Sequence, residues 1–178
     1  LDKVVELSVD LKYDVGSKSK SKVVPAGRVT LFAQIRNREE VFAVKEGFTF
    51  GMLKIARIRG FGLKNTELFG KQDPFVELSL GDVWTEKTPT IDNGGDNVVW
   101  DDLVMQCEVM EHTLVNESLA IKVWEENTSG NVVIGTGSAK LLKCGAAKNI
   151  GKEVDLTVEI VDDKANPSGK IVIYAIVT

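Results

Sequence analysis

The sequence predicts an all-β protein, with an antiparallel β-sandwich of eight strands within residues 48–178 and an extra β-hairpin before it. Three observations support this fold. Hydrophobic and polar residues alternate along short segments, turn-forming clusters such as Asp92-Asn93-Gly94-Gly95 separate these segments, and no segment shows a convincing helical period. Eight short strands spaced by polar turns are typical of a sandwich.

Each predicted strand is rich in Val, Ile, Leu and aromatic residues, which favour extended backbone. Near Cys107, the residues Leu103, Met105 and Cys107 share one strand face, so Cys107 is predicted to be a small core residue. The predicted strands are Met52 to Arg59, Pro74 to Leu80, Val83 to Lys87, Val98 to Cys107, Leu119 to Glu125, Val132 to Leu141, Val154 to Val161 and Lys170 to Val177.

Composition and charge exclude several classes of function. The chain has 178 residues, 43% of them hydrophobic, and a formal net charge of −4, which argues against a nucleic-acid partner. The longest apolar run, Ile171 to Val177, is far shorter than the roughly 18 residues of a membrane span. With His112 as the single histidine, a catalytic triad or a zinc site is not expected, so the sequence predicts no enzyme.

The two cysteines, Cys107 and Cys144, lie far apart and form no C-x-x-C pair, so free thiols in a reducing compartment are expected. No charged-then-apolar leader opens the sequence. We therefore predict a cytoplasmic location, with peripheral association with a membrane or with the cytoskeleton. Because the first residue is Leu1, we expect the chain to be a fragment of a longer protein.

An internal repeat links the two ends of the chain. Glu6 to Leu11 resembles Asp155 to Ile160, and Gly27 to Ile35 resembles Gly169 to Val177, with the same alternation in both copies. The repeat predicts that the N-terminal segments form the closing hairpin of a preceding domain of the same kind.

The predicted organisation is therefore a hairpin in residues 1–35, a linker in residues 36–47 and a sandwich domain in residues 48–178. A lone two-stranded hairpin is only marginally stable in water. The hairpin is expected to dock on the sandwich or to pair with another chain. Alternatively, it augments the sandwich as part of one enlarged domain.

Six segments follow one another in a recognisable order: Gly51 to Leu63, Leu68 to Leu80, Lys87 to Thr90, Asn97 to Asp102, Leu119 to Asn127 and Ile134 to Leu141. In order and spacing, they resemble the signature of C2 domains. The similarity covers about residues 48–178 and implies a Greek-key sandwich of eight antiparallel strands, with a truncated second C2 copy upstream.

The resemblance also implies a calcium site. In C2 domains, about five Asp carboxylates in loops at one end bind Ca²⁺ ions that bridge to anionic phospholipid. The matching positions here are Glu67, Asp73, Glu125 and Asn127, and Val132 replaces the last Asp. Only Asp73 is intact, so no cofactor is expected beyond weak calcium binding at a degenerate site. The alternative role for Asp73 is to brace the turn before the proline that follows it.

Other positions are candidates for binding lipid or a partner. Lys54, Arg57 and Arg59 lie at alternating or near-alternating positions on the first predicted strand and form a basic stripe, or simply a solvated face. Leu68 and Phe69, near the first loop, are placed either to enter a bilayer or to pack under their own loop. Lys87 lies on the strand through which other C2 domains bind lipid or protein.

The sequence therefore predicts a non-catalytic C2-type interaction module from a tandem-C2 protein. It would dock to protein partners, to a scaffold or to a neighbouring C2 copy without calcium. The alternative is a module that binds anionic phospholipid membranes with weak or residual calcium dependence.

Overall fold

The structure is a computed structural model, and its contacts divide the chain into two units, Leu1–Phe42 and Ala43–Thr178. The residues that it describes are 3–14, 23–35, 47–67, 69–145 and 149–178.

The smaller unit contains an antiparallel hairpin of β1 (Lys3–Asp14) and β2 (Val23–Ile35). The structure thus pairs the two segments that the repeat predicts to pair, while their assignment to a preceding domain copy stays a prediction. Of the predicted linker, residues 36–46 lie outside the described residues.

The described residues of the larger unit form an antiparallel sheet of nine strands, which confirms the predicted all-β fold. The strands are β3 (Phe50–Phe61), β4 (Pro74–Leu80), β5 (Trp84–Lys87), β6 (Val98–Trp100), β7 (Met105–Met110), β8 (Ser118–Glu125), β9 (Val132–Lys140), β10 (Val154–Val161) and β11 (Pro167–Val177). Their order in the sheet is β5-β4-β8-β9-β10-β11-β3-β6, and β7 also pairs with β3.

The sheet folds over on itself as a sandwich with one hydrophobic core. Leu78 on β4 and Ile121 on β8 belong to the same buried cluster as Ile58 on β3 and Ile171 on β11. Full burial of such a side chain contributes about 1.5–3 kcal/mol relative to exposure. The core between the two layers is therefore the main source of stability, and it leaves the alternate residues of each strand on the two outer faces.

Glycine allows the two layers to meet closely where β9 pairs with β10. Thr136 lies opposite Val161 at this junction. A Cβ atom added at Gly135 would lie 2.6 Å from Ile160 Cγ2 and 2.7 Å from the Val161 carbonyl oxygen. Both distances are shorter than van der Waals contact, so any larger residue at this position must displace β10.

The prediction of one continuous strand from Val98 to Cys107 is wrong. Trp100 lies opposite Ile58 and Met105 lies opposite Ile55. Four residues, 101–104, therefore lie opposite only two residues of β3, 56 and 57, and the predicted strand divides into β6 and β7. Asp102 adopts a positive φ of 56°, which short polar residues tolerate better than most. The buried positions change phase at the break, from Val98 and Trp100 to Met105 and Cys107, and two aspartates lie between them. This change of phase was a usable signal that the sequence interpretation missed.

The described residues also form two short helices that were not predicted, α1 (Glu111–Asn116) and α2 (Leu142–Gly145). Each is too short to show a helical period in the sequence. They bury Leu114 and Cys144, respectively. Cys107 is a core residue as predicted, and burial raises the pKa of its thiol to about 11.

We expect Gly135→Ala to lower the free energy of unfolding by about 1–3 kcal/mol, because overpacking a close strand contact displaces side chains or backbone. Urea denaturation followed by tryptophan fluorescence measures the change. Thr136→Val, at an exposed position on the same strand, is the matched control and should change stability by less than about 0.5 kcal/mol. Equal stability of Gly135→Ala and the wild type would contradict the close approach.

Candidate functional site

Three loops lie together at one end of the sandwich, and the side chain of Gln72 ties the first of them to the second. This glutamine is fully buried, and its Nε2 donates hydrogen bonds to the carbonyl oxygens of Gly95 (3.1 Å) and Leu63 (3.4 Å). The Gly95 N–H donates back to the Gln72 carbonyl oxygen at 3.1 Å. The loops comprise residues 62–73 between β3 and β4, residues 88–97 between β5 and β6, and residues 126–131 between β8 and β9.

Glu125 connects the first and third loops through a buried carboxylate. The residue is 1% exposed, and its two carboxylate oxygens accept the Asp73 N–H at 3.1 and 3.0 Å. The Asp73 carbonyl oxygen accepts the Glu126 N–H at 3.0 Å. These hydrogen bonds continue the β4–β8 ladder, in which Pro74 lies opposite Glu125, into the loops.

The pKa of the Glu125 carboxyl is raised above its usual range. Burial is the largest cause because it disfavours the charged form, and the hydrogen bond from the Asp73 N–H opposes this effect. A side-chain hydrogen bond with Glu67 and the negative charges of Glu67 and Asp73 raise the pKa further.

The residues at the predicted calcium positions do not fit a Ca²⁺ ion in this arrangement. Calcium takes about six to eight oxygen ligands that point at one centre. Instead, the Glu125 oxygens point at the Asp73 N–H, and Asp73 Oδ1 accepts the Asn93 N–H at 2.6 Å. In the part of the chain that the structure describes, no group of three or more His, Cys, Asp or Glu side chains is placed to hold a metal ion.

Asp73 and Asn127 have other roles in the loops. Asp73 was expected to brace its own turn, but its side chain accepts from a residue 20 positions further on, Asn93 in the second loop. The Asn127 N–H donates to Asn131 Oδ1 at 3.4 Å and so closes the third loop on itself.

The predicted basic stripe lies on one outer face of the sandwich, the β3/β11 face, defined by Lys54, Arg57, Arg59 and Tyr174. Register between β3 and β11 skips one residue at Ala56, and this bulge brings Arg57 to the same face as Lys54. Without the skipped residue, strict alternation would place Lys54 and Arg57 on opposite faces.

Two arginines on this face hold a single aromatic ring between them. The guanidinium carbon of Arg57 lies 4.1 Å from the centre of the Tyr174 ring, and that of Arg59 lies 5.6 Å from it. Arg57 also contacts the Glu153 carboxylate at 3.4 Å and the Asp101 carboxylate at 4.0 Å. The ring and the acids hold the Arg57 side chain in one place.

Lys87 lies on the other outer face, the β4/β8 face, defined by Phe75, Lys87, Lys122 and Trp124. The Phe75 and Trp124 rings stack with their centres 6.1 Å apart and an angle of 11° between their planes. Lys122 Nζ lies 3.9 Å from the centre of the Trp124 ring, and Lys87 Nζ lies 5.7 Å from that of Phe75. Lys87 also pairs with Glu77 at 3.0 Å.

The structure therefore does not bring the predicted lipid- or partner-binding residues together into one site. Sequence reasoning also missed Phe75, Lys122 and Trp124. Lys122 and Trp124 alternate with buried residues on β8, which was a usable signal for their outward position. Their contact with Phe75 depends on strand register, which the alternation does not give.

The first loop carries the two apolar candidates. Phe69 is 93% exposed, so it does not pack under its own loop. Leu68 lies outside the described residues.

A family model described as the C2 domain matches residues 51–156. The chain belongs to the C2 domain family. Solved structures of C2 domains share the fold: a C2 domain of plant extended synaptotagmin 1 aligns with a TM-score of 0.55 at 18% identity, covering 75% of this chain and 97% of that one. A C2 domain-containing protein from a putative elicitor-responsive gene aligns with a TM-score of 0.54 at 18% identity, covering 72% and 88%.

Two named relatives of this C2 chain come from Arabidopsis thaliana. The 16 kDa phloem protein 1 is 27% identical over 127 residues, which are 69% of this chain and 81% of that protein. The calcium-dependent lipid-binding protein is 28% identical over 108 residues, 61% of this chain and 20% of that protein. The similarity thus covers most of a small protein and one part of a much longer one.

None of the helices in the described part of the C2 chain has the length and apolar character needed to cross a bilayer.

The raised pKa of Glu125 predicts a pH-dependent stability. The folded C2 domain binds this proton more tightly than the unfolded chain, so its contribution to stability is complete below the unfolded pKa of about 4.3. The contribution is lost as the pH rises through the higher folded pKa. As the pH rises, the free energy of unfolding of the wild type should therefore fall relative to that of Glu125→Gln, which cannot ionise. The fall is about 1.4 kcal/mol for each pKa unit by which the folded pKa exceeds the unfolded one.

Urea denaturation at a series of pH values between about 4 and 8 measures this difference. Glu126→Gln, which removes an exposed acid next in sequence, is the matched control and should follow the wild-type curve in parallel. Parallel curves for Glu125→Gln and the wild type would show that burial does not hold a proton on Glu125.

Proposed function

We propose that this chain is a non-catalytic C2 module that binds anionic phospholipid membranes without calcium, through the β4/β8 face. The observation that carries the proposal is the half-buried Trp124 ring, which stacks on the buried Phe75 ring, with a lysine over each ring. A C2 relative whose name includes lipid binding supports this class of function.

The chemistry of this face suits the interface between water and a bilayer. Tryptophan is favoured at that level because its ring is amphipathic, and lysine places its charge among anionic headgroups while its stem covers apolar surface. Beside the two ring-bound lysines, Lys140 lies opposite Ser118 in the β8–β9 ladder and shares the outward side of these strands. The acidic residue among them is Glu77, which pairs with Lys87.

The loop end has the opposite charge, which argues against the loops as the first point of contact. Its three loops carry two lysines against five acids. Without calcium to reverse this charge, an anionic leaflet repels the loops and attracts the β4/β8 face, where each lysine near the surface contributes about 1 kcal/mol. The charged residues of the loops are Lys64, Lys71, Glu67, Asp73, Asp92, Asp96 and Glu126.

The arrangement of Glu125 and Asp73 supports calcium independence. Turning the Glu125 carboxylate toward a Ca²⁺ ion would take its oxygens from the part-buried Asp73 N–H and leave that backbone donor without its partner. A buried donor without a partner costs about 1–3 kcal/mol.

The test is sedimentation with phosphatidylserine-containing vesicles, in chelator and in added calcium, with pure phosphatidylcholine vesicles as the neutral reference. We expect equal binding with and without calcium. Lys87→Glu with Lys122→Glu should weaken binding by roughly 30-fold or more, since two cations of about 1 kcal/mol each are lost.

The matched control is Arg57→Glu with Arg59→Glu, which makes the same change of charge on the opposite outer face. This double variant should bind vesicles to a similar extent as the wild type, once its folding is confirmed by circular dichroism. Binding that appears only with calcium would overturn calcium independence. A loss confined to the arginine variant would overturn the assignment to the β4/β8 face.

A second candidate function, docking to a protein partner, is favoured by the β3/β11 face. Arginine and tyrosine are enriched among residues that dominate protein interfaces, and Arg57 is held in place by Tyr174 and Glu153. The charge of this stripe suits an acidic partner surface. The second function is favoured over the first if the wild type does not bind vesicles but captures a protein partner. Arg57→Ala should then abolish that capture.

A further inference from the structure

The hairpin of β1 and β2 has the same register as the hairpin of β10 and β11, including the same irregularity. In the first hairpin Leu11 lies opposite Gly27, and the next pair is Lys12 with Pro25. In the second hairpin Ile160 lies opposite Gly169, and the next pair is Val161 with Pro167. In each case the second strand skips one residue within a Pro-x-Gly sequence.

The correspondence extends along both hairpins. Asp10 opposite Arg28 corresponds to Glu159 opposite Lys170. The next pairs correspond in the same way, for example Leu7 opposite Leu31 and Leu156 opposite Ile173. Because register is set by side-chain pattern and turn geometry, two hairpins that agree in register, bulge and pattern have the same structural role.

In the C2 domain this bulge is shaped by a neighbouring loop. Gly169 has a φ of +119°, and a Cβ atom there would lie 2.8 Å from the Gly62 carbonyl oxygen and 2.9 Å from Leu63 Cα. The Lys64 N–H donates to the Ser168 carbonyl oxygen at 3.0 Å. The glycine is therefore required by the loop that leaves β3 and packs against the bulge.

The remaining edges of the second hairpin are also occupied. β11 pairs with β3 along its length, from Lys170 opposite Phe61 to Val177 opposite Leu53. β10 pairs with β9 through Val161 and Thr136. In the described residues, β1 and β2 pair with each other alone, as a separate two-stranded sheet.

We propose that residues 3–35 are the last two strands of a second C2-type sandwich, and that their binding partner is the set of preceding strands of that copy, equivalent to β3 to β9, upstream in the parent protein. The outer edge of β2 receives a strand equivalent to β3, and the backbone at Gly27 receives the loop equivalent to residues 62–64. The glycine directly after the skipped residue is the feature of this hairpin that matches such a loop. The proposal does not depend on membrane binding.

The experiment compares hydrogen exchange of residues 3–35 in two chains. One is the present chain, and the other extends upstream in the parent protein by the length of one C2 domain. We expect rapid exchange in the present chain and about 100-fold or greater protection in the longer one, because a completed sheet opens only by cooperative unfolding.

Three results would overturn the proposal. The first is equal exchange in both chains. The second is strong protection in the present chain as a monomer, which would mean that the hairpin docks on residues 43–178. The third is protection that increases with concentration as the present chain dimerises, which would mean that the partner is a second copy.

A glycine variant tests the loop contact directly. In the longer chain, Gly27→Val should abolish the protection of residues 3–35 and leave the melting temperature of the C2 domain in residues 48–178 unchanged. Gly16→Val, outside the Pro-x-Gly sequence, should preserve the protection, and Gly169→Val should instead destabilise the downstream C2 domain. Full protection in the Gly27→Val variant would show that no loop packs at this position.

Discussion

The hydrogen bonds between the buried carboxylate of Glu125 and the Asp73 N–H determine how the loop end is built. An isolated carboxylate cannot be buried without a strong penalty, so this one depends on the hydrogen bonds that its oxygens accept from the Asp73 N–H, and burial raises its pKa. These hydrogen bonds fix the start of β4 against the end of β8, and this contact positions the loops that adjoin both strands. An internal acceptor thus occupies the place where other members of the family present carboxylates to a cation.

Under the proposed function, the same substitutions place membrane binding away from the loops. When carboxylates at one end are used for internal hydrogen bonds and the remaining acids are not neutralised, that end repels anionic surfaces. The outer faces of the sheet are then the regions that can attract them. Their side chains are fixed by cross-strand contacts, as the Phe75–Trp124 stack and the Arg57–Tyr174 contact show. Rigid aromatic and cationic groups lose little entropy on binding, which suits weak but specific recognition.

How much could be predicted from the sequence depended on the range of the interaction. Alternation is local, so it located the strands well; Val154–Val161 agrees at both ends. The division near Asp102 left a trace in the sequence, a change of phase in the apolar positions, but which β3 residues lie opposite depends on strand register, which the pattern does not give. For the same reason the stripe of Lys54, Arg57 and Arg59 was predicted only as near-alternating, since the bulge that aligns it is a property of the β3–β11 pair.

The candidate site shows the same limit. The loss of Asp at the calcium positions could be seen in the sequence, but the partner of each remaining carboxylate could not. The Glu125 oxygens meet a backbone N–H that is 52 positions away, and Asp73 meets Asn93 across two loops. The internal repeat can be found by comparing two parts of the sequence, whereas the role proposed for the N-terminal hairpin rests on the matching bulges of the two hairpins.

The charge of the β4/β8 face connects the two proposals. Three lysines and one glutamate leave two net positive charges, worth about 2 kcal/mol at an anionic leaflet, which alone corresponds to a dissociation constant of tens of millimolar. Charge alone is therefore too weak to hold one module at a membrane, so binding also draws on the amphipathic Trp124 ring. A second C2 copy on the same chain makes its own contact intramolecular, with an effective concentration in the millimolar range for a short linker. A weak face is therefore useful in a tandem arrangement, and the hairpin of residues 3–35 is the structural reason to expect one.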